Sequence, residues 1–204
     1  MARVARALTA PFVRFEITGG ACAPRVGVVI IASNHRSLFD VVAGLIGLHH
    51  FRRYPRILIA RRYVEGKWTA PFARAIGAIP VDRGAGAAAL QEAIAALDSG
   101  IDILVMPEGR LHWDPEHPLH TGPASKGISR LSVGTGVPVV AAGLSGTQHV
   151  WPATSRLPRL NPFRRPTVSI RVADEELVLV GEDHAANTDL VMTTIEQLLA
   201  ETAA

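Results

Sequence analysis

The feature that most constrains this chain is an alternation of short β-branched runs with helical patterns. Six runs predict buried strands, at 26–32, 56–60, 78–82, 101–106, 137–144 and 167–172. Helical patterns lie between or after them, at 38–50, 85–98, 124–133 and 188–201. Such alternation builds a sheet that helices cover on both faces. The sequence therefore predicts an α/β fold: a single domain over 1–204, with a mixed, largely parallel sheet flanked by helices.

Composition indicates a folded globular protein and the cellular compartment in which it is expected. With 48% hydrophobic and 19% charged residues, the chain of 204 residues is too apolar to be disordered. Cys22 is the only cysteine, so no internal disulfide can form, and neither a secretory apolar stretch nor a run of roughly 20 apolar residues occurs. We therefore expect a cytoplasmic protein without a membrane-spanning segment.

The start of the helix predicted at 38–50 is well marked. Ser37 and Asp40 have the spacing of a capping box with Asp in place of Glu, which makes Ser37 the expected N-cap. The helix is apolar almost all round, so it is expected to be buried, either in the core or against lipid. Burial in the core is the favoured alternative.

His35 and Asp40 are candidates for a general base. On one continuous helix, residues five apart lie about 140° apart around the axis and do not meet. With Ser37 as N-cap, His35 belongs to the incoming loop and can fold back onto the Asp40 carboxylate. Such a carboxylate orients the imidazole, which then accepts a proton from a hydroxyl group. The alternative is a capping Asp beside an incidental loop histidine.

Four ordered segments carry a family resemblance. They are 34–40 (NHRSLFD), 77–83 (GAIPVDR), 106–110 (MPEGR) and 137–140 (VPVV). Over the motif region 26–147 they resemble the four blocks of the glycerolipid acyltransferase superfamily, especially bacterial 1-acylglycerol-3-phosphate acyltransferases. The first block matches the His-x4-Asp signature of that family. The resemblance implies a glycerol-3-phosphate acyltransferase-like fold.

The resemblance also implies a reaction. A fatty acyl group would move from acyl-CoA or acyl carrier protein to a lipid hydroxyl, most simply that of 1-acylglycerol-3-phosphate, to give phosphatidic acid. His35 would be the general base and Asp40 would orient it, without a covalent intermediate. No metal or bound cofactor is expected, since the acyl donor acts as a cosubstrate.

Binding residues follow from the same resemblance. Arg83, Glu108, Gly109 and Arg110 would bind or position the acceptor phosphate, which guanidinium groups bind in two-pronged fashion. The third block departs from the family's Glu-Gly-Thr-Arg, because Arg110 and Leu111 follow Gly109 here. Two alternatives are an O-acyltransferase for a lyso-ornithine lipid, glycolipid or natural product, and a noncatalytic lipid-binding protein. Candidates for the acyl pocket are Phe39, Val41, Leu45 and Pro138.

Three other chemistries are less well supported. Gly84 to Ala89 meets a dinucleotide-binding pattern, but its acidic partner, Asp102, begins a strand instead of ending one. A group of potential metal ligands comprises His112, Asp114, Glu116, His117 and His120, but the prolines among them indicate a surface loop that is structural or faces substrate. Cys22 has no activating neighbour in sequence, so we do not expect it to be a nucleophile.

Basic residues mixed with apolar ones indicate a membrane surface. Arginines crowd at 52–62 and again at 156–165, and residues 1–15 combine arginines with apolar side chains as an amphipathic docking segment does. Arginines with aromatic residues also bind nucleic acid. Together with the family resemblance, the pattern favours peripheral attachment to the inner face of the cell membrane, without a nucleic-acid partner.

Overall fold

A computed structural model describes residues 2–22, 27–67, 69–82 and 86–202. Within these residues, seven strands form one sheet in the order β1-β7-β6-β2-β5-β3-β4. The strands are β1 (Arg14–Gly19), β2 (Ile30–Ser33), β3 (Arg56–Ala60), β4 (Ile79–Val81), β5 (Ile103–Val105), β6 (Val139–Ser145) and β7 (Thr167–Val172). All neighbouring pairs are parallel except β6 and β7, which are antiparallel. The predicted α/β fold with a mixed, largely parallel sheet is confirmed.

The helices cover both faces of the sheet. In chain order they are α1 (Ala2–Thr9), α2 (Asp40–His50), α3 (Arg61–Val64), α4 (Ala70–Ala75), α5 (Ala87–Asp98), α6 (Gly127–Thr135), α7 (Thr147–Val150) and α8 (His184–Glu201). The side chains of β2 alternate between the two cores: Ile30 and Ala32 pack with α5, α6 and α8, whereas Ile31 packs with α2. Both faces of the strand are buried, as its continuous apolar run requires.

The strand β1 was not among the predicted elements. Its exposed residues alternate with partly buried Phe15 and Ile17, because it lies at the sheet edge beside β7. This half-buried pattern, next to the arginines of α1, looks like an amphipathic segment in sequence. Residues 14 and 15 of the predicted docking segment thus belong to the sheet.

Several helix ends differ from the prediction. The helix α2 begins at Asp40 with Phe39 as N-cap, so Ser37 lies before the helix and is not its N-cap. The helix α8 is capped by Asp183, whose carboxylate accepts from the amides of Ala185 and Ala186, and it therefore starts four residues before Thr188. The helix α6 continues through Gly134 and ends at Thr135, and its C-cap, Gly136, takes the left-handed conformation with φ of 68°.

The parallel strands place several loops at one edge of the sheet. Since β2, β5 and β6 run in the same direction, their carboxyl ends share that edge, and His35 and Glu108 follow the ends of β2 and β5. We call this edge the catalytic edge, because it carries the candidate catalytic residues. No helix in the described part of the chain combines the length and hydropathy needed to cross a bilayer.

Candidate active site

The loop after β2 is anchored to β6 by one side chain. The buried Asn34 donates from Nδ2 to the carbonyl of Leu144 (2.9 Å) and accepts at Oδ1 from the Leu144 amide (2.8 Å). Its amide group therefore continues the strand pairing by one step beyond Ser33. No role was predicted for Asn34, although it stands directly before His35. Its two bonds fix where the next residue starts.

His35 and Asp40 meet as predicted from their spacing. His35 Nδ1 lies 2.8 Å from Asp40 Oδ2, and the His35 side chain is 19% exposed while that of Asp40 is fully buried. Because an ionised carboxylate only accepts hydrogen bonds, the shared proton belongs on Nδ1, which leaves the lone pair on Nε2. Among the described residues Nε2 has no hydrogen-bond partner. The geometry thus holds the imidazole in one tautomer and leaves its second nitrogen free to accept a proton.

Asp40 is itself held by the turn before α2. Its Oδ2 also accepts from the backbone amides of Arg36 (2.7 Å) and Ser37 (2.8 Å). Ser37 Oγ accepts from the Phe39 amide and donates to the carbonyl of Thr147. The side chains thus make the reciprocal bonds of a capping box around a tight turn, although the helix begins only at Asp40. The carboxylate that orients the histidine also closes the turn that carries it.

Glu108 of the third block packs against the same loop. Its Oε1 accepts from the His35 amide at 3.2 Å, and the His112 amide donates to the His35 carbonyl at 2.7 Å. Glu108 is buried, and its Oε2 has no partner in the described structure. Burial raises the pKa of Glu108 to about 7, against the lowering effect of the His35 amide. Glu108 thus fixes the position of the His35 backbone.

The raised pKa of Glu108 predicts a pH-dependent stability. Below about pH 4.5 the carboxyl is protonated in both the folded and the unfolded chain, whereas between pH 4.5 and 7 only the unfolded chain ionises. The free energy of unfolding should therefore fall as pH rises through this window, by roughly 3 kcal/mol. The variant E108Q should lack this component. Urea unfolding of both proteins at pH 4.5 and 7.5 measures it, and equal slopes with pH would contradict the prediction.

The buried side chain of Arg36 stacks on an aromatic ring from the segment after Glu108. Its guanidinium lies 5.0 Å from the ring centre of Trp113, which in turn packs edge-on against His149. Burial lowers the pKa of Arg36, while the nearby carboxylates of Asp40 and Glu108 oppose that shift. The stack holds the segment after Glu108 over the catalytic edge.

The residues predicted to bind the acceptor differ in how close they lie to His35. Glu108 contacts the His35 loop as described, and Gly109 takes a positive φ of 62° in the turn that follows. Arg110 is exposed, with no ion pair to any described residue. Arg83 lies outside the described residues. The structure thus brings His35, Asp40 and Glu108 together and leaves Arg110 in solvent near them.

An apolar cavity lies between α2 and the sheet. It extends from Ser33 and Met106 at the catalytic edge to Val29 at the other end of β2, roughly 13 Å along the strand. Its helix wall is formed by Gly44, Gly47 and Leu48. Gly44 and Gly47 are three residues apart and leave this face of α2 without side chains, which makes room for the cavity. This glycine spacing is the signal in the sequence that could have indicated the cavity.

The residues predicted for the acyl pocket lie elsewhere. Phe39 is buried and stacks on Phe15, and Val41 and Leu45 are partly exposed on α2. Pro138 precedes β6, and its carbonyl accepts from the Ile30 amide at the edge opposite His35. None of these four residues lines the cavity. Their assignment to an acyl pocket stays a prediction.

The remaining candidates from the sequence are the dinucleotide pattern, the potential metal ligands and Cys22. Asp102 accepts from the Val29 amide and pairs with Arg53, while Gly84 and Ala85 of the dinucleotide pattern lie outside the described residues. The ligand atoms of Asp114, Glu116 and His117 lie within 4.8 Å of one another in an exposed loop, with Asp114 bonded to His117. Burial raises the pKa of the Cys22 thiol, which makes that thiol a poor nucleophile.

Comparisons with known proteins agree with this fold and define the family. The model of the Acyltransferase family matches residues 14–145, more than half of the chain, from β1 to the end of β6. The chain therefore belongs to the Acyltransferase family and is an acyltransferase. A search of the curated proteins found no match.

The fold is also that of a solved acyltransferase. The crystal structure of the 1-acyl-sn-glycerophosphate (LPA) acyltransferase PlsC from Thermotoga maritima is similar, with a TM-score of 0.75 and 21% sequence identity. The similarity covers 98% of this chain and 78% of the PlsC chain. At this identity the likeness establishes the fold.

Proposed function

We propose that the protein transfers a fatty acyl group from a thioester, acyl-CoA or acyl carrier protein, to a lipid hydroxyl. One observation carries the proposal: His35 Nδ1 is 2.8 Å from the buried Asp40 carboxylate. His35 Nε2 takes the proton of the acceptor hydroxyl as its oxygen attacks the thioester carbonyl. The new C–O bond forms, the C–S bond breaks, and the proton leaves with the thiolate as a thiol. Asp40 stabilises the imidazolium between these steps.

The apolar cavity supports a fatty acyl substrate. It begins beside Ser33, two residues before the base, and its lining is aliphatic apart from Ser33, Phe51 and Arg53. An acyl chain in the cavity would place its carbonyl carbon at the catalytic edge. Burial of each methylene group there stabilises the bound chain by about 0.8 kcal/mol.

The proposed acceptor is 1-acylglycerol-3-phosphate, with phosphatidic acid as the product. The similarity to PlsC, an acyltransferase of 1-acyl-sn-glycerophosphate, supports this choice, as do the arginines of the second and third blocks. Arg83 and Arg110 would bind the phosphate, with Glu108 and Gly109 shaping the turn that carries Arg110. Residues 1–15 would dock the protein peripherally on the inner face of the cell membrane, where such acceptors lie.

A second acceptor class is favoured by one observation. The third block has Leu111 where an arginine is expected if Arg110 stands for the threonine, and Arg110 is exposed and unpaired among the described residues. An acceptor without phosphate, such as a lyso-ornithine lipid, a glycolipid or a natural product, would need no clamp there. The base and the cavity would serve it equally.

The experiment that tests the proposal is an acyl-transfer assay with labelled donors. Acyl-CoA and acyl carrier protein are each combined with lysophosphatidic acid and with monoacylglycerol of the same chain, which differs only in lacking the phosphate. We expect transfer to lysophosphatidic acid. Transfer to monoacylglycerol alone would favour the second acceptor class, and no transfer to either lipid or to a glycolipid would favour a noncatalytic lipid-binding protein.

The cavity also predicts control over chain length. A Cβ added at Gly44 meets no atom within 4 Å, so a leucine side chain there has room to enter the cavity. Gly44→Leu should shift the preferred donor to shorter chains, because each excluded methylene lowers kcat/KM by about fourfold. Gly44→Ala is the matched control and should retain the preference of the unchanged protein. The measurement is kcat/KM over a series of acyl-chain lengths, and an unaltered profile in Gly44→Leu would place the chain elsewhere.

A further inference from the structure

The segment joining α7 to β7 is unusually basic and unusually apolar on its surface. This basic loop, 152–166, carries four arginines and no acidic residue, and no Asp or Glu occurs anywhere from 118 to 173. Three large apolar side chains on it are exposed to solvent: Phe163 is 95% exposed, Leu157 is 74% exposed and Leu160 is 45% exposed. Large apolar side chains exposed together, with polar groups around them, mark an interaction surface.

The topology places the basic loop at the catalytic edge. Ser145 near the end of β6 pairs with Ser169 near the start of β7, because these two strands are antiparallel. The residues before β7 therefore lie where β2 ends and His35 follows. In the middle of the loop, the Arg159 amide donates to the carbonyl of Val150 at the end of α7. The carbonyl of Thr147, at the start of α7, accepts from Ser37.

One side chain joins the basic loop to the N-terminal helix. Arg165 Nη2 donates to the carbonyl of Ala10 at 2.7 Å and lies 3.4 Å from that of Val13. The helix α1 precedes these carbonyls and exposes Val4 and Leu8 among its arginines. The loop and α1 thus flank the same side of the site.

We propose that the basic loop docks on a bilayer of anionic phospholipids. Its arginines match the charge of the phosphate layer, while Phe163 and Leu157 enter the interface between head groups and acyl chains. Nucleic acid is a poorer match, since the loop offers Phe163 as its only aromatic ring for stacking. The inference rests on the proposed lipid acceptor, because docking here brings that acceptor to His35.

Vesicle flotation of the full chain tests the proposal. The vesicles contain phosphatidylcholine alone or with phosphatidylglycerol, and binding is measured at low and high salt. The triple variant R156A/R159A/R164A should bind the anionic vesicles roughly a hundredfold more weakly, since each arginine near the surface strengthens binding about fivefold. The variant L157S/F163S should bind the anionic vesicles at least about tenfold more weakly, because two apolar side chains no longer enter the interface. Arg165 is retained because it holds the loop to Ala10.

Matched controls separate docking from general charge and general hydrophobicity. Val178 and Val180 are 69% and 73% exposed and follow Leu177, which bridges to Val139 at the opposite edge of the sheet. V178S/V180S should therefore bind vesicles like the unchanged protein, and so should R74A/R130A, which removes two exposed charges outside the loop, one on α4 and one inside α6. Equal losses in loop and control variants would overturn the proposal.

Competition distinguishes the bilayer from other acidic partners. Single-stranded DNA and acyl carrier protein are titrated against the protein in the absence of vesicles. Binding to either one that exceeds vesicle binding, and that the loop variants abolish, would overturn the bilayer assignment. Because flotation needs no acyl transfer, it is repeated with His35→Ala. His35→Ala should float like the unchanged protein. If the unchanged protein floats in a loop-dependent way but transfers no acyl group in the assay described above, the docking surface is retained and the proposed function is rejected.

Discussion

His35→Ala should lower the rate of acyl transfer by about 10²–10⁴-fold while the protein remains folded. The loss follows from the role proposed for Nε2, since removal of a general base costs a factor of this size. The side chain is 19% exposed and makes one side-chain hydrogen bond, to Asp40, so its removal leaves little unsatisfied in the core. Initial rates with a saturating donor and thermal unfolding on the same preparation measure the two effects.

The matched control is His49→Ala. His49 lies near the other end of α2, partly buried, with Nδ1 3.3 Å from the Tyr54 hydroxyl. Its loss should leave the rate within about twofold, as expected of a site that touches no reacting atom. Full activity of His35→Ala would reject the general base and favour the lipid-binding alternative. A comparable loss in both variants would point to instability instead of chemistry.

Asp40→Ala should lose both activity and stability. The activity falls by about 10²–10⁴-fold because the imidazole is no longer oriented. The stability falls by about 2–5 kcal/mol because the buried amides of Arg36 and Ser37 lose their acceptor. Rates and urea unfolding, compared with those of His35→Ala, measure the two losses separately.

Asp40→Asn separates the two roles of this carboxylate. The amide oxygen can still accept from the Arg36 and Ser37 amides, so most of the folding free energy should be retained. The neutral asparagine side chain lacks the charge that stabilises the imidazolium, so the rate of acyl transfer should be as low as in Asp40→Ala. An active Asp40→Asn protein would show that Asp40 serves only as a cap and that His35 works without it.

Regular patterning made the centre of the fold predictable from sequence. The strands β2, β5 and β6 are almost wholly buried, whereas β3, β4 and β7 are partly buried, and the apolar runs of all six indicated them within a few residues. The edge strand β1 was missed because its half-buried alternation is shared by amphipathic segments. Helix ends were displaced where side-chain bonds decide them, as Asp183 does for α8.

The candidate site was predictable where its chemistry is local. His35 and Asp40 are five residues apart, and a turn between them brings their side chains into contact. The bond from Asn34 to Leu144 and the contact of Glu108 with His35 join segments more than 70 residues apart. Neither could be derived from spacing. The cavity likewise depends on which face of α2 meets the sheet.

The side chain of Asn34 has a consequence for the mobility of His35. The Asn34 side chain makes the two hydrogen bonds to Leu144 that a strand backbone would make, so His35 is attached to the centre of the sheet and not to a free loop. Motions of surface loops then leave the base where it is, and displacing it requires opening two central strands. Such openings cost nearly as much as global unfolding. The alignment of the imidazole is thus a property of the folded core, and it should persist until the core itself melts.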